Sequence, residues 1–147
     1  MAISGRDGSI RQASMRVIEA EIRNYHQTVE TLRELEESIA LPGQQGEFGD
    51  STRSTEPGDP TPSRAYRMMT SAQLLEIRRR VEAIDYMLRV VKASPDPGRY
   101  KLIRLAYWDG RFTVKGICDQ LSISQATYYR WRREALQLVA ERLGWEI

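Results

Sequence analysis

Apolar residues recur over the first forty positions at alternating steps of three and four: Met15, Ile18, Ile22, Tyr25, Val29, Leu32 and Ile39, with Glu36 interrupting the series. That spacing follows one face of an α-helix and predicts a long helix over roughly residues 10–40. Arg16, Glu19, Glu21, Arg23, Glu30, Arg33, Glu34 and Glu37 fall on the remaining faces. Leu74, Ile77, Val81, Ile84, Leu88 and Val91 repeat the spacing without a break. They predict a second helix that begins near Ser63 or Thr70 and stops near Ala93, before Ser94-Pro95-Asp96-Pro97-Gly98; proline cannot continue a helical ladder and glycine permits a left-handed exit. Between the two, residues 41–63 hold Pro42, Gly43, Gly46, Gly49, Pro57, Gly58, Pro60 and Pro62, and read as a linker. No stretch alternates with period two for long enough to make a strand, so the expected fold class is all-α.

Neither helix is apolar all round, so each must bury its stripe. The linker is long enough to fold the two into an antiparallel, coiled-coil-like hairpin, and the same stripes serve equally to pair chains into a homo-oligomer. Residues 1–98 are therefore expected to form a hairpin and assembly region, and residues 99–147 a separate domain.

In that last third, Tyr100, Ile103, Leu105, Ala106, Tyr107 and Trp108 predict a short helix ending at Asp109-Gly110. Thr113 is a good N-cap for a second, whose inner face is Val114, Ile117, Cys118 and Leu121. Ser122-Ile123-Ser124 follows. Ile123 supplies the apolar residue of a turn, and Ser124 caps a third helix running to about Leu143. Neither glycine nor proline occurs in this turn, and either would weaken the reading. A short helix, a tight turn and a longer helix form the helix-turn-helix pattern, whose second helix presents its N-terminal end to duplex DNA. Tyr128, Trp131, Ala135, Leu138 and Val139 are expected to pack inward. Gln125, Tyr129 and Arg133 share another face with Ala126 and Arg130 beside them.

Charge sharpens this picture. The whole chain carries a net charge of only +2, yet residues 99–133 hold eight Lys/Arg against two Asp/Glu. A basic patch beside an acidic remainder is the footprint of a nucleic-acid module. Arginine suits guanine or phosphate, glutamine suits adenine, and alanine can meet a thymine methyl. Gln125 and Arg130 are thus the expected base contacts. Arg111, Lys115 and Arg132 are expected at phosphates, with Ser124, Ala126, Thr127, Tyr129 and Arg133 completing the DNA-binding set.

Lys-Leu-Ile-Arg-Leu-Ala-Tyr-Trp (101–108), Ile117-Cys118 with Leu121-Ser-Ile-Ser, Ala-Thr-Tyr-Tyr-Arg-Trp-Arg-Arg-Glu (126–134) and Leu-Gly-Trp (143–145) together resemble phage transcriptional regulators of the RinA/ArpU type. Asp59-Pro60-Thr61 with Arg64 and Ala65 is similar to their middle region. The resemblance implies a C-terminal domain similar to sigma-factor region 4. It also implies late-gene activation from a phage or prophage, double-stranded DNA and host RNA polymerase as partners, and a place in the bacterial cytoplasm. Cys118 stands where such helices more often carry alanine. The competing expectation is a component of phage DNA packaging like a small terminase subunit, in which the DNA module usually stands at the N-terminus rather than the C-terminus.

Enzymatic chemistry finds no support. No carboxylate pair sits in a catalytic frame. Gly43, Gly46 and Gly49 lack the strand a phosphate loop requires. His26 has no nearby cysteine or second histidine, and the single cysteine, Cys118, excludes a cysteine-built zinc site. No catalytic residue, metal or cofactor is expected. No apolar run approaches the roughly 18 residues of a membrane span, and the first residues do not read as a secretory signal.

Overall fold

The computed structural model describes residues 3–40 and 60–145, with side chains described over 11–38 and 71–145. Among the described residues every regular element is helical, and the fold is all-α. The elements are α1 (Ile3–Arg23), α2 (Tyr25–Ala40), α3 (Pro60–Ala93), α4 (Gly98–Ile103), a π-helical segment (Arg104–Asp109), α5 (Val114–Leu121) and α6 (Gln125–Leu143). Most of the expected linker, residues 41–59, lies outside the described residues, while residues 60–63 already belong to α3. Pro60 and Pro62 fit there, because the first turn of a helix leaves its N–H groups without intrahelical partners.

The expected first helix is present as two pieces that meet at Asn24. Near that break the Ile22 carbonyl accepts a hydrogen bond from the Trp108 indole N–H at 2.9 Å. Two compact units follow from the packing. One comprises residues 1–25 and 80–147, the other residues 26–79. This division cuts across the boundary expected at residues 98 and 99: α1 and the second half of α3 share a core with the C-terminal helices. In that core Ile18, Ile22, Ala83, Met87, Leu102 and Leu136 are fully enclosed, joined by Ile84, Ile103, Ile117 and Val139. In the other unit α2 and the first half of α3 are tied by Arg78, whose Nε donates to Glu36 at 2.9 Å, and Leu74 is buried.

Gly110 ends the π-helical segment with φ +69, a left-handed conformation that glycine adopts without the penalty of a Cβ. The widened turn ahead of it buries Tyr107, while Trp108 lies between Tyr25 (stacked, 6.0 Å) and Tyr100 (edge-on, 6.4 Å). No helix among the described residues is long and apolar enough to cross a membrane.

Candidate nucleic-acid interface

Thr113, in extended conformation, begins α5; its side chain accepts a hydrogen bond from the Gly116 N–H at 3.1 Å, satisfying one of the free first-turn donors. Ile117 and Cys118 are buried, with Val114 and Leu121 packed against the same core. The helix closes through two backbone bonds: Ile123 N–H to the Cys118 carbonyl at 3.0 Å, and Ser122 N–H to the Asp119 carbonyl at 3.4 Å. This pair is the Schellman arrangement, which requires a left-handed residue and favours an apolar residue just after it. Ser122 takes the left-handed place with φ 54, and Ile123 packs against the core. A glycine at Ser122 would therefore suit this turn, contrary to the expectation that one would count against it.

Ser124 follows at once as the N-cap of α6. Its hydroxyl oxygen accepts from the Thr127 N–H at 3.1 Å and donates to Thr127 Oγ1 at 3.0 Å. The turn between α5 and α6 is thus fixed by one helix's closing motif abutting the next helix's cap. At the far end Trp145 N–H reaches the Ala140 carbonyl at 2.8 Å across Gly144, so α6 is closed in the same way.

The faces of α6 separate cleanly. Tyr128, Trp131, Ala135 and Val139 are buried as expected; Leu138 is only half-buried, and Leu136, Ala140 and Leu143 join the interior. Gln125, Ala126, Tyr129, Arg130 and Arg133 are exposed, Tyr129 at 48%, with Ser124 exposed and Thr127 half-buried beside them. Tyr129 leans edge-on against Tyr128, ring centroids 5.1 Å apart, which restrains the exposed ring. Lys115 is exposed on the first turn of α5. Arg111 is exposed in the preceding loop, with its Nε donating to Asp109 at 2.7 Å; that hydrogen bond and the carboxylate's charge raise its pKa above the ordinary value.

Arg132, expected at a phosphate, is engaged within the protein. It is half-buried and grips Glu19 of α1 with two bonds, Nη2 to Oε1 at 2.6 Å and Nε to Oε2 at 3.2 Å. Tyr107 Oη donates to the same carboxylate at 3.0 Å. Burial opposes the guanidinium's charge most strongly of any single cause, but the hydrogen bonds and charges of Glu19 and Tyr107 together outweigh it and leave the Arg132 pKa raised. Burial, and then the Glu19 charge, push the Tyr107 phenol well above its ordinary value. Glu19 itself is 8% exposed, although the helical spacing set it on an outer face. The heptad rule follows one stripe, and α1 is covered on a second side by α6 and the π-helical segment.

A family model described as a protein of unknown function (DUF1492) matches residues 67–140. The chain belongs to the DUF1492 family. No curated protein and no solved structure matches it. The DUF1492 match takes in the capped turn and every exposed candidate contact from Arg111 to Arg133, and it leaves out α1 with Glu19. Among the described residues, no group of three His, Cys, Asp or Glu side chains stands close enough to hold a metal ion.

Proposed function

We propose that this chain is a sequence-selective duplex-DNA-binding protein that uses α5, the Ser122-Ile123-Ser124 turn and α6 as a helix-turn-helix, and that it regulates transcription. The observation that carries this reading is the exposed end of α6. Gln125, Ala126, Tyr129, Arg130 and Arg133 stand free of the core on a helix whose start is locked by Ser124. Lys115 and Arg111 add positive charge from neighbouring elements. A helix N-terminus favours phosphate through its free N–H groups and dipole, and these side-chain types read base edges in a major groove. Likeness to phage regulators of the RinA/ArpU type extends the proposal to late-gene activation, with a polymerase contact and self-association as its further parts.

Selection of binding sites from random duplex DNA with the full chain tests it. The expected result is an enriched motif bound with an affinity that falls as salt rises, by about 0.9 log units per log unit of salt for each phosphate contact. Gln125→Ala and Arg130→Ala should each weaken the selected site by roughly tenfold, in line with about 1–3 kcal/mol of discrimination per base contact. Absence of any enriched motif, or variants that select the same motif with undiminished affinity, would end the proposal.

A further inference from the structure

The Glu19 carboxylate is the single buried charged group among the described residues, and it receives two hydrogen bonds from Arg132 and one from Tyr107. These three residues come from α1, α6 and the π-helical segment, separated by up to 113 positions along the chain. Their geometry is directional. A bidentate guanidinium–carboxylate pair fixes an angle as well as a distance, and at 8% exposure Glu19 meets little solvent that could compete for it. Arg132 follows Gln125 by seven residues and Tyr129 by three, so it lies on the flank of α6 next to the proposed DNA-reading face. Any rotation of α6 about its axis that loosens the Arg132 pair displaces Gln125 and Tyr129 together. The Ile22 carbonyl bonded to Trp108, and Arg23 lying 5.6 Å over the Tyr107 ring, hold α1 at the same place.

We infer that Glu19 is a positioning residue for DNA reading: acting through Arg132, it sets the rotation of α6 and thereby the specificity of the exposed face. This rests on the DNA-binding reading above. It assigns to α1, outside the DUF1492 match, a part in recognition without contact to DNA. A side chain that must meet a base edge tolerates displacement of only about 0.5 Å, so small rotations are enough to erase selectivity.

The test compares affinity for the selected duplex with affinity for a scrambled duplex, using the full chain. Wild type, Glu19→Gln, Arg132→Gln and the double variant are measured at a temperature where circular dichroism shows each folded. Glu19→Gln keeps the side chain's size and removes its charge. Tyr107→Phe supplies a milder second variant that takes away one hydrogen bond from the carboxylate. Each single change at the pair should lower the selected-to-scrambled ratio about tenfold, and the double variant should lower it no further, the non-additivity of two groups acting as one. Tyr107→Phe should lower it about twofold to threefold, while affinity for the scrambled duplex stays nearly constant. If wild type binds no duplex selectively, the DNA reading falls and takes this inference with it. If wild type is selective but folded Glu19→Gln keeps its ratio, or the two losses add, the pair is a brace only and the inference is overturned.

Discussion

At the scale of single residues, a few side chains carry polar atoms into or beside the apolar core. Tyr25, at the start of α2, hydrogen-bonds to Asp85 of α3, and its pKa is pushed up from 10.0 to about 12, first by burial and then by the Asp85 hydrogen bond and charge. A phenol whose pKa is higher folded than unfolded stabilises the fold fully below the unfolded value, and that contribution is lost as pH rises through the folded value. Stability should therefore hold up to about pH 10 and fall toward about pH 12. Tyr25→Phe should lessen that fall rather than abolish it, because Tyr107 and Tyr128 are shifted in the same direction. Urea denaturation of both proteins across this range checks it, and parallel pH profiles would refute it. No sequence signal points to Tyr25, Tyr107 or Glu19 as polar anchors. Each takes its role from a partner 60 or more positions away, a separation that helical periodicity cannot register.

At the scale of elements, much was legible because the determining interactions are local. Thr113 and Ser124 are caps by residue type, and each accepts the expected first-turn N–H. The 3.6-residue repeat separated the buried Tyr128, Trp131, Ala135 and Val139 from the exposed Gln125, Tyr129 and Arg133. Leu136 escaped that reading because α6 is packed on more than one side, so its buried arc is wider than a single stripe. The turn tolerates glycine, contrary to expectation: the Schellman closure places Ser122 at φ 54, where a Cβ is a burden. Ser122→Gly should then stabilise the chain by roughly 0.5–1 kcal/mol, whereas Ser124→Ala should cost about 1 kcal/mol through loss of the cap. Thermal melts of the two variants should shift in opposite directions. A destabilised Ser122→Gly would show that the serine side chain holds the turn by some other means.

At the scale of the whole molecule, the long helices of the first ninety-eight residues suggested a self-contained hairpin joined to an independent DNA-binding domain. The packing follows a different division, since Ile18, Ile22, Ile84, Met87, Leu88 and Val91 enclose the same interior as Leu102, Ile103, Tyr107 and Leu136. A heptad stripe announces that a surface must be buried but not which partner buries it. The consequence can be measured on the fragment 99–147. Cutting there removes Ile18, Ile22, Ile84, Met87, Leu88 and Val91 from the core they share with Leu102 and Leu136, both 0% exposed, and Ile103 at 1%. Each such residue gains about 1.5–3 kcal/mol from burial, against a net stability of only about 5–15 kcal/mol for a whole domain. A fragment of about fifty residues with part of its core opened has no reserve to absorb that loss. The fragment should show weak helical signal and no cooperative melt, while the full chain melts cooperatively. Adding residues 1–98 in trans should recover helicity by supplying α1 and α3. A fragment that melts sharply alone and selects the same DNA motif as the full chain would mean that α1 and α3 merely rest on a self-sufficient domain.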